Sequence, residues 1–109
     1  MDYLLKISCE DRYNIERKKA TFTANSDLEA LQYALAVLMY GKKPSKELVR
    51  EIVSEYEEDI KERDPSTTEE QWWKDMIDIS QEDCFLDLLL NQTTNKILFE
   101  NTEDEEELE

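Results

Sequence analysis

Carboxylates are the side chains of this chain that come in a pattern. Taking about 100° per residue, Glu51, Glu55, Glu58 and Glu62 fall at about 0°, 40°, 340° and 20° around a helix. They form a stripe some 60° wide that rises over about 16 Å. Glu47 and Asp59 flank it, and Asp75 and Asp78 follow on the next helical segment. Carboxylates can act as acid and base in pairs, hold a hard cation, or present negative charge to a basic surface. The spacing here lacks the Asp-x-Asp-x-Asp-Gly order of a calcium loop. Glu82-Asp83 is the other near grouping.

The remaining inventory argues against catalysis. There is no histidine, the commonest general base. A single glycine cannot build a phosphate-cradling loop. Without histidine or clustered cysteine no zinc site is expected, and no cofactor is implied. Cys9 and Cys84 do not make a disulfide framework, and both sit among apolar neighbours, so they are expected to pack as small buried hydrophobes. The expectation is a protein that is not an enzyme.

Charge is then the one functional signal. The net charge is −15, from 28 acidic and 13 basic residues. It is divided unevenly: residues 1–45 sum to +1 and residues 46–109 to −16. Such a face repels nucleic acid and anionic membrane and attracts basic surfaces. Like charges at i,i+4, such as Glu51–Glu55 and Glu58–Glu62, cost a helix a little stability. A solvated helix face is the plain alternative, but an acid-only row where mixed charge would be better suggests use.

Two stretches should position this row. Ser26 and Glu29 form a capping box ahead of Leu28, Leu31, Leu35 and Leu38, and Gly41 stands where a left-handed cap belongs. This spacing predicts a central core helix over 26–41. Pro44 and Ser45 then open a second helix reaching about Arg63, with Leu48, Val49, Ile52, Val53, Tyr56 and Ile60 on its apolar arc. A third, short helix is expected from Ser66 or Thr67, with Trp72, Trp73, Met76 and Ile77 facing the core or a partner.

Strands are expected at both ends. Residues 3–10 and 16–24 read as an N-terminal hairpin, with Arg17-Lys18-Lys19 guarding an edge. For residues 80–91 helix and strand signals conflict, and strand is favoured, because Ile97-Leu98-Phe99 needs a pairing partner. The expected fold is α+β: an antiparallel sheet of about four strands, with two to three helices on one face. Residues 1–100 form one domain, and 101–109 an acidic tail expected to be disordered. Neither a signal peptide nor a membrane span is apparent, which points to the cytoplasm. The Asn91-Gln92-Thr93 sequon is expected to be coincidental.

Small size, acidity and the lack of catalytic groups resemble, at the level of class, phage-encoded nucleic-acid mimics such as anti-CRISPR proteins and restriction-enzyme inhibitors. That resemblance implies a cytoplasmic inhibitor in a bacterial host, binding the basic groove of a nuclease or CRISPR effector. It implies no direct contact with nucleic acid. The expected contact residues are Glu47, Glu51, Glu55, Glu58, Asp59, Glu62, Trp72, Asp75 and Asp78. An immunity protein or antitoxin with an aromatic anchor (Trp72, Trp73 or Tyr56) is the alternative, and an acidic adaptor without mimicry a further one. Monomer and dimer are equally open.

Overall fold

The computed structural model describes residues 1–10, 12–81 and 84–100. The chain order is β1 (Asp2–Glu10), β2 (Ile15–Thr23), α1 (Asp27–Tyr40), α2 (Lys46–Glu55), α3 (Glu57–Lys61), α4 (Glu69–Ile79), β3 (Cys84–Asn91) and β4 (Lys96–Glu100). All strand pairs are antiparallel, in the order β2-β1-β3-β4. The two hairpins therefore join through their first strands, β1 and β3, and the fold is α+β as the strand and helix signals imply. Residues 101–109, the acidic tail, lie outside the described residues.

Local signals place α1. Ser26 accepts the Glu29 N–H at 3.2 Å, and Glu29 reaches back to the Asn25 N–H rather than to that of Ser26. Gly41 has φ 67° and its N–H closes on the Val37 carbonyl at 2.9 Å. A side chain there would meet open space, so the conformation itself is what favours glycine. Between these caps α1 buries Ala30, Leu31, Tyr33, Ala34, Leu35, Ala36 and Leu38. A helix apolar on so much of its circumference belongs inside the molecule. It packs on Tyr3, Leu5 and Ile7 of β1 and Leu86 and Leu89 of β3, while α2 and α4 pack against it.

Two expectations about the later helices need correction. The helix expected from Ser45 to Arg63 is interrupted at Tyr56 (φ −105°, ψ 11°), with hydrogen bonds resuming on either side. The break falls in Glu55-Tyr56-Glu57-Glu58-Asp59, where crowded like charges weaken helical backbone. The cap of α4 is Thr68, which accepts the Gln71 N–H at 3.1 Å, and not Ser66 or Thr67. Ser66 is engaged instead by Asp64, whose carboxylate takes its N–H at 2.9 Å and its hydroxyl at 2.8 Å in a turn.

The cysteines also depart from expectation. Cys9 and Cys84 are cross-strand partners on β1 and β3 and form a disulfide, although 75 residues separate them. Apolar neighbours in sequence said nothing of this, because the register of two distant strands creates the contact. The sequon asparagine, Asn91, is fully buried. Its amide donates to Asp27 at 2.9 Å, and its oxygen accepts the Thr93 and Thr94 N–H groups at 2.9 and 3.1 Å. That side chain is committed to the β3–β4 turn, where Asn95 adopts φ 61°.

Candidate partner-binding surface

The acidic row is divided between two short helices. Glu47, Glu51 and Glu55 lie on α2, Glu58 and Asp59 on α3, and Glu62 directly follows α3. All six are exposed. Leu48 and Ile52, on the other side of α2, are buried against α1, and this fixes which face of α2 meets solvent. Because the backbone turns at Tyr56, a count of 100° per residue does not carry through from Glu51 to Glu62. Each helix presents its own carboxylates.

Among the described residues, the ion pair in this region is Lys61 with Glu57 at 3.5 Å, an i,i+4 pair beside the row rather than in it. Glu55 is the member with a polar partner: it accepts the Tyr40 hydroxyl at 2.9 Å. Burial, that hydrogen bond and the charges of Glu55 and Glu51 push Tyr40 up to about 12. Tyr56 is likewise raised, first by burial and then by the charges of Glu55 and Asp59. The phenols at the root of the row thus feel its field.

The aromatic candidates behave differently from one another. Trp73 is fully buried and belongs to the core with Ile77. Trp72 is half-buried, with ring centroids 4.9 Å from Trp73 and 5.7 Å from Tyr56 in edge-on contacts. The indole N–H of Trp73 has no hydrogen-bond partner among the described residues. Asp75 and Asp78 of α4 are both exposed, and Asp75 accepts from Gln71 at 2.9 Å. Trp72 is therefore first a packing residue between α4 and the turn at Tyr56.

Among the described residues, no three His, Cys, Asp or Glu side chains gather as metal ligands would, and no helix is long and apolar enough to cross a membrane. Glu82-Asp83 lies outside the described residues. No family model, curated protein or solved structure matches this chain.

Proposed function

We propose that this protein inhibits a nucleic-acid-binding enzyme, a nuclease or CRISPR effector, by placing its carboxylates where phosphates normally lie. One observation carries the reading: Glu51, Glu55, Glu58 and Glu62 are all exposed, and among the described residues none has a basic partner. Each exposed pair formed with a target would contribute only about 0–1 kcal/mol, so affinity must come from many charges together. The work is done in the cytoplasm of a bacterial host, where Cys9 and Cys84 would stand as neighbouring thiols; the bond between them belongs to oxidising conditions.

The test is affinity capture from a bacterial lysate at low and high salt, followed by binding measurements on the captured enzyme. Affinity should fall steeply between about 50 and 200 mM salt. The double variant Glu51→Lys with Glu58→Lys should fold normally and lose binding. These two are the better choice for reversal, because Glu55 also holds Tyr40. A double variant that binds as well as wild type would show the row to be a solvated face. Binding that survives high salt but is lost in Trp72→Ala would favour an aromatic-anchored immunity protein.

A further inference from the structure

On the opposite side of the charge balance lies a groove whose surroundings are basic. It is a cavity of about 480 Å³ between the C-terminal end of α1 and the sheet. Its origin is legible in the β1–β2 register. Phe22, Ala20 and Lys18 stand opposite Tyr3, Leu5 and Ile7, and directly opposed residues share a face. Phe22 fills its share of the space, stacked between Tyr3 at 5.5 Å and Tyr33 at 4.7 Å. Two residues earlier Ala20 has only a methyl group, and the gap beyond Phe22 stays open.

The wall is apolar: Leu5 and Ile7 from β1, Val37 and Leu38 from α1, Pro44, and the Cys9–Cys84 bridge. The polar side chains on its described lining are four lysines, Lys18, Lys19, Lys42 and Lys43, all exposed. They come from two places in the chain, β2 and the α1–α2 connection. Lys18 lies 4.0 Å from Glu16, at the limit of an ion pair, and the other three have no such partner among the described residues. In a chain of net charge −15, four of the 13 basic residues therefore border one apolar groove.

We propose that this groove binds a single-chain anionic amphiphile, with its alkyl chain on the apolar wall and its carboxylate among the lysines. Pockets for small ligands are of this size, mostly apolar with a few placed polar groups. The lysines are donors only, so they suit an anion. An alkyl chain needs no hydrogen-bond partner from the wall, and the lysines are the polar side chains on the described lining to meet a head group. The proposal is independent of the acidic row.

The experiment is an amide chemical-shift titration of the full chain with octanoate and decanoate below their micellar concentrations. Acetate and decyl maltoside serve as probes lacking the chain or the charge. Decanoate should shift the amides of Ile7, Ala20, Leu38 and Lys43 saturably and bind about tenfold tighter than octanoate, from the two added methylenes. Acetate and decyl maltoside should leave these amides in place. Ala20→Phe, which fills the groove, and Lys18→Glu with Lys43→Glu, which reverses its rim, should each weaken decanoate at least about tenfold while the melting temperature holds. Equal affinity for octanoate and decanoate, equal binding of decyl maltoside, or unchanged affinity in both variants would overturn the proposal. So would two other occupants. One is a leucine-containing glutamate peptide that shifts these amides where decanoate does not; the other is a second copy, seen as the same shifts on raising protein concentration alone.

Discussion

The hydroxyl of Tyr3 donates to the Asp27 carboxylate at 2.8 Å, joining the first strand to the first turn of α1 across the sheet–helix interface. The same Asp27 oxygen accepts from Asn91 at 2.9 Å, and Lys96 lies 3.8 Å from the other oxygen. Burial alone would raise the Asp27 pKa, but the hydrogen bonds from Asn91 and Tyr3 and the Lys96 charge outweigh it and hold it below the usual carboxylate value. A carboxylate whose pKa is lower when folded adds stability that is complete above its unfolded pKa. That stability is lost as pH falls through the folded one. Denaturant midpoints should therefore drop from about pH 5 downward, and Asp27→Asn should flatten part of that drop. An unchanged acid limb in Asp27→Asn would show that this cluster does not contribute.

The same cluster has an alkaline limb. Burial, followed by the hydrogen bond and charge of Asp27, raises the Tyr3 pKa. For a group raised on folding, its stabilisation is complete below the unfolded tyrosine value and lost as pH climbs toward the folded one. Stability should begin to decline above about pH 10, and Tyr3→Phe should reduce the decline at a constant cost of about 1–2 kcal/mol at neutral pH.

Leu35 is fully buried in α1. Leu35→Asp puts a charge at the centre of an apolar core. The variant should lose its cooperative thermal transition by circular dichroism, whereas exposed Glu51→Gln should melt like wild type.

The Cys9–Cys84 bridge closes a loop with a sequence separation of 75. Loop-closure entropy gives such a bridge about 4 kcal/mol of stabilisation through the unfolded chain. A reductant should therefore lower the urea midpoint, and Cys9→Ser with Cys84→Ser should reproduce the reduced value without further response to reductant. Identical midpoints with and without reductant would count against a bridge in solution, as would two free thiols by mass spectrometry after alkylation.

Trp72 gives a way to separate packing from binding. Its edge-on contacts with Trp73 and Tyr56 are worth about 0.5–1.5 kcal/mol each beyond area burial. Trp72→Ala should thus melt earlier, by an amount visible in a thermal scan, with its carboxylate-driven target binding kept once folded. A variant that melts normally but fails to bind would make Trp72 a contact residue.

Features set by a few neighbouring residues were readable along the chain. Ser26, Ser45 and Gly41 each act within one helical turn, so their types and spacing placed the ends of α1 and the start of α2. Leu31 and Leu35 marked the core face because helical periodicity is itself local. Where several local options had similar energies, their types and spacing did not single one out. Ser66, Thr67 and Thr68 are all competent caps, and Asp64 takes Ser66 into a turn and leaves Thr68 to α4. The turn at Tyr56 falls where Glu55, Glu57, Glu58 and Asp59 crowd one stretch, and their small individual costs to a helix did not mark the break along the chain.

Contacts between distant residues were decided only by the tertiary structure. Cys9 meets Cys84 because β1 and β3 pair in one particular register, and Asn91 meets Asp27 because that register sets it opposite Tyr3 while α1 packs on the sheet; no local preference specifies either. The groove beside Lys18 and Lys43 has the same origin: it needs Ala20 opposite Leu5 and the end of α1 above both. The sequence by itself determined that the second half is acidic and that the carboxylates of α2 and α3 lie away from an apolar arc. Which of those carboxylates stand free, and which, like Glu55, is engaged by a phenol from another helix, was settled by how α2 packs on α1. Charge is a property of composition, whereas its availability to a partner depends on what the folded chain brings beside it.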